Sequence, residues 1–289
     1  MVVFFRFDAM TYKINLTSLL ILLLITNSFA GVFRHDVQVV LHEQLAAQPQ
    51  FDCVGGICND TSAAPMGSCV LISERFVLTA AHVFMHNKKV APAKNIVIVL
   101  KGRQIKAKQI IVYKPYLEKF ENNSFDIALV ELEEPVRGVH IPALNTQLDE
   151  MKSIVTGVGY GVTGFANKPE DIKATEKPLA GQNTIDGFGG EKINGVEALM
   201  LADMDYPQHP EYNLMGDAEP IQLEYALGGG DSGGPLFRER NGKWELMGIA
   251  KGTSFVVERF TAVGYYGQMC KWVRVAVFAD WIKQHAKLK

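Results

Sequence analysis

A serine enclosed by glycines is the strongest candidate nucleophile in this sequence. Residues 228–235 read Gly-Gly-Gly-Asp-Ser-Gly-Gly-Pro, and the serine is Ser232. Glycine permits tight turns and positive φ, so the backbone can expose this hydroxyl and direct N–H groups toward one point beside it. That arrangement would suit an oxyanion hole. A glycine-rich turn leading into a strand accounts for the same residues, so the chemical interpretation needs support from elsewhere in the chain.

Two other segments supply that support. Residues 77–82 read Val-Leu-Thr-Ala-Ala-His and place His82 at the end of an apolar strand, while residues 126–130 read Asp-Ile-Ala-Leu-Val and begin another strand with Asp126. A serine hydroxyl is protonated at neutral pH, so it needs a base to activate it and a carboxylate to orient that base. Ser232, His82 and Asp126 provide these three parts, which predicts nucleophilic catalysis by a triad.

Short strands must carry these residues. Apolar runs rich in Val and Ile recur between Gly, Pro and Asn, a pattern typical of many antiparallel strands and of an all-β barrel or sandwich. These runs cover residues 37–41, 68–79, 96–100, 110–113, 127–132, 154–158 and 246–250. Residues 164–220 are mixed and polar, and we expect long surface loops there. Helical spacing of apolar residues from Val273 onward predicts one terminal helix.

Composition excludes several classes of protein. The 289 residues are 48% hydrophobic and 21% charged with a formal net charge of -2, so the chain is neither disordered nor a basic nucleic-acid binder. The four cysteines are not spaced as paired zinc ligands. Asp203, Asp205, Asp217 and Glu219 offer oxygen ligands for calcium but lack the spacing of a metal loop. We therefore expect no metal and no cofactor.

The first thirty residues have the outline of a signal peptide. The apolar run at residues 16–25 follows Lys13 and precedes small residues at Ser28 and Ala30. It is shorter than the roughly 20 apolar residues of a spanning helix, although an uncleaved anchor is the alternative. Cleavage after Ala30 would start the mature chain at Gly31 and export it from the cell, to the periplasm or beyond, with no stable membrane insertion.

Export to an oxidising compartment favours disulfide formation. Cys53 and Cys58 enclose Val-Gly-Gly-Ile, which reads as a flexible turn, so we predict a small disulfide loop between them. Cys69 and Cys270 are far apart in sequence, and their pairing is left open.

The three motifs, in the order His82, Asp126, Ser232, resemble those of the chymotrypsin/trypsin superfamily of serine endopeptidases. The resemblance covers most of residues 32–285. It implies two packed, antiparallel six-stranded β-barrels with a C-terminal α-helix, and a catalytic cleft between the barrels. The corresponding domains are the signal peptide at 1–30, an N-terminal barrel at 31–145, and a C-terminal barrel with the helix at 146–289.

The resemblance also implies roles for residues around the nucleophile. The N–H groups of Gly230 and Ser232 would form the oxyanion hole. Asp231 would pair with a newly freed N-terminal amine and thereby order that loop. The usual Ile-Val-Gly-Gly start of the family is absent, and Val32 is the expected terminus if one residue is trimmed after signal cleavage.

Specificity is expected to differ from that of trypsin. The resemblance places the primary pocket around Ala226, which replaces the aspartate of trypsin, and around Lys251, Gly252 and Thr253, which replace Ser-Trp-Gly of the family. Without a buried negative charge, a substrate Arg or Lys would lose its hydration uncompensated, so a neutral or apolar side chain is the expected occupant.

The implied function is hydrolysis of polypeptide substrates by a monomeric enzyme. Residues 230–234 also fit the G-x-S-x-G motif of serine esterases, but there the acid and the histidine follow the serine, whereas His82 and Asp126 precede Ser232. A catalytically silent binding protein with the same fold is the other alternative. Such relatives typically lose a triad or oxyanion residue, and here all of them are present.

Overall fold

The computed structural model of the protein describes residues 31–62, 64–119, 124–174, 177–254 and 266–288. Strands hold 44% of the described residues and helices 16%, so the predicted all-β class is confirmed. The predicted signal peptide at residues 1–30 lies outside the described residues.

Twenty strands are present in the described residues. In the first half of the chain they are β1 (Val32–Phe33), β2 (Val54–Asn59), β3 (Gly67–Ser73), β4 (Phe76–Thr79), β5 (Met85–His86), β6 (Lys89–Val90), β7 (Ile96–Leu100), β8 (Arg103–Val112), β9 (Ala128–Leu132) and β10 (Ala143–Leu144). In the second half they are β11 (Ile154–Gly159), β12 (Val162–Phe165), β13 (Lys168–Ala174), β14 (Leu179–Thr184), β15 (Gly187–Ile193), β16 (Val196–Ala202), β17 (Tyr225–Ala226), β18 (Pro235–Arg240), β19 (Lys243–Ser254) and β20 (Met269–Arg274).

Six strands of the first half close into a barrel in the order β2-β3-β4-β9-β8-β7. Their alternation explains which side faces the core: in β7, Ile96, Ile98 and Leu100 are buried, while the valines between them are half-buried. The β7–β8 hairpin turns at Lys101-Gly102, where both residues have positive φ, as a two-residue turn between twisted strands requires. This barrel carries His82 and Asp126 at the ends of its strands.

The second half contains one eight-stranded sheet. Six of its strands form the run β14-β11-β18-β19-β20-β16; β15 extends the run beyond β16, and β10 pairs with β19. The predicted six strands therefore do not include β10 and β15, which also belong to this sheet. As far as the described residues show, the ladder of this sheet runs from β14 to β15 without closing. The sheet carries the glycine-rich segment on the loop that enters β18.

The N-terminal strand belongs to the second half of the molecule. Val32 and Phe33 in β1 pair with β12 on one side and with β17 on the other, and both side chains are fully buried. This packing places the backbone of Gly31 beside the nucleophile loop.

The prediction that residues 164–220 form long loops was wrong for most of the segment. Four strands, β13 to β16, lie wholly within it. β15 and β16 form a hairpin whose turn is Asn194-Gly195, with φ of 51° and 84°. Asn-Gly between two strands is among the strongest local hairpin signals, and it outweighs the scattered glycines that suggested loops.

Three α-helices are described: α1 (Val39–Ala46), α2 (Lys114–Glu118) and α3 (Val275–Ala286). α3 is the predicted terminal helix, and it packs on β9, β10 and β19. The apolar run at 37–41, predicted as a strand, instead begins α1, which packs on β14 and buries His42. In the described part of the chain, no helix has the length and apolar character needed to cross a membrane.

Candidate active site

The barrel places His82 next to Asp126. β4 ends at Thr79, and the chain then forms a 3₁₀ turn, Ala81–Phe84, which carries the histidine. Asp126 lies just before β9, which pairs with β4 in the barrel, so the ends of neighbouring strands bring the two residues together. The backbone N–H of His82 donates a hydrogen bond of 2.8 Å to Asp126 Oδ1.

The side chains of Asp126, His82 and Ser232 form one hydrogen-bonded chain. His82 Nδ1 lies 2.6 Å from Asp126 Oδ2, and His82 Nε2 lies 2.7 Å from Ser232 Oγ. An ionised carboxylate only accepts hydrogen bonds, so Nδ1 carries the proton and Nε2 is free to accept one from the serine. Asp126 is 2% exposed, while one third of the His82 side chain is accessible. The structure thus brings the three predicted triad residues together, with His82 Nε2 facing Ser232 Oγ.

Ser68, in β3 of the barrel, anchors the nucleophile loop. Its backbone N–H donates to Ser232 O at 2.8 Å, and its hydroxyl donates to Gly230 O at 2.9 Å. The same hydroxyl accepts a hydrogen bond from Tyr160 N. Sequence reasoning missed this residue, although a serine at the start of an otherwise apolar, buried strand is a signal that could have marked it.

Gly233 directly follows Ser232, and its backbone and surroundings leave no room for a side chain. Its φ is +83°, and a Cβ on it would lie 1.9 Å from Thr79 Oγ1 and 2.3 Å from Ser68 O. Its N–H donates to Ala250 O at 2.8 Å. The loop therefore packs against the barrel on one side and against β19 on the other, which fixes the position of Ser232.

Asp231 lies on the inner side of this loop and contacts the N-terminal strand. Its Oδ2 accepts hydrogen bonds from Gly31 N at 2.6 Å and from Gly228 N at 3.1 Å. Burial raises the pKa of Asp231 to about 6, against the opposing effect of these N–H donors. The predicted partner of Asp231 was Val32, and this was wrong by one residue: Val32 is held in β1 by its pairing with Gly164 and Ala226, so the nitrogen that faces the carboxylate is that of Gly31.

The residues predicted for the specificity pocket separate into two groups. Ala226 is fully buried in β17 against Val32. Lys251, Gly252 and Thr253 are half-buried near the end of β19. Because Ala226 is enclosed by packing, it contributes no charge and no accessible surface, whereas the β19 residues remain accessible to a ligand.

The predicted disulfide between Cys53 and Cys58 is wrong. All four cysteines lie in the described residues and are buried, and none of them forms a disulfide. The intervening Val-Gly-Gly-Ile is extended in β2, where it pairs with β3 and β7. Five residues of strand separate the two Cα atoms by roughly 16 Å, more than twice the span of about 7 Å that a disulfide allows.

Three carboxyl groups of the second half are buried close together. Burial raises the pKa of Asp203 to about 6, of Asp205 to about 7 and of Glu224 to about 8. Backbone N–H groups donate to them: the two oxygens of Glu224 accept from Asp205 N and Ile221 N. Within the described parts of the chain, no three His, Cys, Asp or Glu side chains are arranged to hold a metal ion.

These raised pKa values predict a pH-dependent stability. The folded state binds protons more tightly than the unfolded state, so their contribution to stability is present at acidic pH and is lost as pH rises through about 6 to 8. We expect the free energy of unfolding to decrease from pH 6 to pH 8 in urea titrations. Glu224→Gln should flatten this decrease, and Glu219→Gln, at an exposed position nearby, should leave it unchanged. If the free energy of unfolding fell equally with pH in the wild-type protein and in both variants, Glu224 would not be a source of the pH dependence.

A comparison with protein families identifies the fold. A family model described as Trypsin matches residues 42–282. The match includes the closed barrel, the eight-stranded sheet and the positions of His82, Asp126 and Ser232. Since it covers well over half of the 289 residues, the chain belongs to the trypsin family of serine proteases.

Proposed function

We propose that the protein is an exported serine endopeptidase that cleaves peptide bonds through an acyl-enzyme intermediate. The observation that carries this proposal is the hydrogen-bonded chain from Asp126 through His82 to Ser232, with distances of 2.6 and 2.7 Å. Export is supported by the signal-like segment at residues 1–30. Domain limits of 31–145 and 146–289 remain part of the proposal.

In the proposed reaction, Ser232 Oγ attacks the carbonyl carbon of the scissile bond. His82 Nε2 accepts the hydroxyl proton and then donates it to the leaving amine. Asp126, which accepts from Nδ1–H, keeps the imidazole in the required tautomer and stabilises the imidazolium that forms. A water molecule, deprotonated by the same nitrogen, then attacks the acyl-enzyme and releases the carboxylic acid product.

The N–H groups of Gly230 and Ser232 would stabilise the tetrahedral oxyanion. Asp231 O accepts a hydrogen bond from Gly234 N at 2.6 Å. In a trans peptide the C=O and the following N–H point in opposite directions, so the Ser232 N–H faces away from that contact. Gly230 has a φ of +90°, which most residues avoid. One donor of this kind contributes roughly 10²–10³-fold to the rate.

Labelling with a fluorophosphonate probe tests the proposal directly. An activated serine reacts with the probe, so we expect one phosphonylated residue, Ser232, by peptide mass mapping. A peptide-library digest of the same protein should give cleavage after neutral or apolar residues, because no aspartate lies at Ala226 to pair with a cation. Failure of both labelling and cleavage would favour the catalytically silent alternative, and cleavage chiefly after Arg or Lys would overturn the specificity.

Activity should depend on a free amine at Gly31. In a chain cleaved after Ala30, the α-ammonium of Gly31 would sit at the nitrogen position that is 2.6 Å from Asp231 Oδ2. A positive charge there would lower the raised pKa of the buried carboxyl and hold the oxyanion loop in place. A chain that begins Ala30-Gly31 presents a neutral amide instead, and we expect its kcat/KM to be lower by about 10²-fold, the loss associated with a disordered oxyanion donor.

The measurement compares purified proteins that begin at Gly31 and at Ala30, with their N-termini verified by sequencing. In the protein that begins at Gly31, Asp231→Asn should lower kcat/KM by a similar factor. Asp36→Asn removes a surface carboxylate near the same terminus, which pairs with Arg34, and serves as the control. Equal activity of the two N-terminal forms would exclude this activation.

A further inference from the structure

An open cavity of about 280 Å³ lies between the segment that precedes Asp126 and the end of β19. Its polar lining residues are Ser124, Lys251, Ser254 and Lys271, and apolar side chains complete it. Two of its lining residues are close in sequence to residues of the proposed active site or to residues that contact it. Ser124 precedes Asp126 by two residues, and Lys251 follows Ala250, whose backbone bonds to the N–H of Gly233 and to the carbonyl of Gly234.

Among the described residues, no strand pairs with one edge of the end of β19. At Gly248 and Ile249 the strand pairs with β18 on one side and with β20 on the other. Beyond Ala250, the described residues of β19 pair only with β20. An extended peptide can hydrogen-bond to such an edge as an added strand. A substrate bound to Ser232 would therefore pass close to the cavity.

The described lining of the cavity carries two positive charges and no carboxylate. Lys251 and Lys271 are half-buried, and in the described parts of the chain neither ammonium has a carboxylate within ion-pair distance. Burial, and to a lesser extent the charge of Lys251, lower the pKa of Lys271. Two like charges in a partly desolvated site repel, and an anion between them would relieve that repulsion.

The neighbouring carboxylate of Glu191 is already engaged. It accepts a hydrogen bond from Ser124 N at 2.6 Å and lies 3.5 Å from Lys119 Nζ. Ser124 Oγ accepts from Glu191 N at 2.9 Å, so the proton of its hydroxyl can be donated elsewhere. The cavity therefore presents hydrogen-bond donors of a kind that suits a carboxylate.

We propose that this cavity is a substrate subsite for an acidic side chain, an aspartate or glutamate within four residues of the scissile bond, and that Lys251 and Lys271 determine this preference. The inference rests on the proposed endopeptidase function and assigns Lys251 to a charged subsite of that enzyme. A carboxylate has two oxygens, each of which can accept from one ammonium, and such charge-assisted bonds are stronger than neutral ones.

The test uses internally quenched peptides built on a sequence that the wild-type enzyme cleaves. Glutamate replaces glutamine, its uncharged isostere, at each of the four positions on either side of the scissile bond in turn. At one position we expect kcat/KM to be higher for Glu than for Gln by about tenfold, the order expected of one charge-assisted hydrogen bond. Raising the salt concentration should reduce that ratio, because ions screen the attraction.

Variants assign the preference to the cavity. Lys251→Met and Lys271→Met keep most of the apolar stem, and each should reduce the Glu/Gln ratio, with the double variant bringing it to about one. Lys243→Met, at the exposed far end of the same strand, is the matched control and should keep the wild-type ratio. Thermal unfolding of each variant verifies that it is folded. If the double variant does not fold, the Glu/Gln ratios of the two single variants test the subsite.

The outcomes separate the two proposals. If wild-type enzyme cleaves the Gln and Glu peptides equally at every position, or if the ratio persists in the lysine variants, the subsite is overturned and the endopeptidase function stands. If no peptide is cleaved and no serine is labelled, both are overturned.

Discussion

Replacing Ser232 with alanine should lower kcat by about 10⁶-fold while leaving the fold intact. The substitution removes the oxygen that would attack the carbonyl carbon. In the described parts of the chain, no second hydroxyl hydrogen-bonds to His82 Nε2, which lies 2.7 Å from Ser232 Oγ. Residual hydrolysis above the uncatalysed rate is expected from oxyanion stabilisation and substrate binding. The measurement is steady-state cleavage of a quenched peptide by protein free of wild-type contamination.

Stability should hardly change in this variant. The backbone contacts of Ser232, including its carbonyl with Ser68 N, do not involve the hydroxyl. Alanine also tolerates the same backbone, unlike a substitution at Gly233. Ser73→Ala at the end of β3 is a suitable control, because it removes a hydroxyl from the barrel away from the site. A Ser232→Ala protein that is folded and cleaves peptides within tenfold of the wild-type rate would show that another group is the nucleophile.

The sequence predicts the triad because each of its proposed members has a local signature. Apolar runs predict the strands at whose ends His82 and Asp126 lie, and glycines predict the turn that contains Ser232. Strand type and turn type depend mainly on neighbouring residues, so a linear pattern captures them. The resemblance to the family then supplies the order in which these segments meet.

The sequence does not predict the contacts between residues that lie far apart in the chain. Gly31 and Asp231 are 200 residues apart, and Ser68 and Gly230 are 162 apart. The error of one residue at Val32 illustrates this: which nitrogen reaches Asp231 depends on the register of β1 between β12 and β17. In a strand, a shift of one residue turns every side chain to the other face, and no local pattern in residues 31–33 specifies that register.

The disulfide prediction failed for a different reason. Gly55 and Gly56 were interpreted as a flexible turn because glycine permits many conformations. In the barrel they are needed for close packing: a Cβ on Gly55 would lie 2.9 Å from Val99 O, and one on Gly56 would lie 3.0 Å from Pro65 Cγ. A glycine selected for lack of a side chain looks identical in sequence to one selected for flexibility, so the extended strand could not be predicted.

Replacing Asp126 with asparagine should lower kcat by about 10⁴-fold, a magnitude taken from the general behaviour of Ser-His-Asp triads. Asp126 accepts two hydrogen bonds, from His82 N at Oδ1 and from His82 Nδ1 at Oδ2. An asparagine keeps one acceptor oxygen and gains a donor. If its oxygen stays at His82 N, its NH₂ faces Nδ1, which must then accept, so the imidazole proton moves to Nε2.

That tautomer cannot act as the base, because the Nε2–H would point at Ser232 Oγ in place of the lone pair that must receive the serine proton. The flipped asparagine restores the acceptor at Nδ1 but sets its NH₂ against the backbone N–H of His82, which leaves two donors facing each other in a buried position. Either orientation of the asparagine disrupts the hydrogen bonds that orient His82, although the side-chain volume is unchanged.

Two measurements check this prediction together. Peptide cleavage gives the loss in kcat, and ¹⁵N NMR of the His82 imidazole reports which nitrogen is protonated. Asp280→Asn, at an exposed position of α3, is the matched control and should retain wild-type values in both. An Asp126→Asn enzyme within tenfold of wild type, with Nδ1 still protonated, would show that the carboxylate does not set the tautomer of the base.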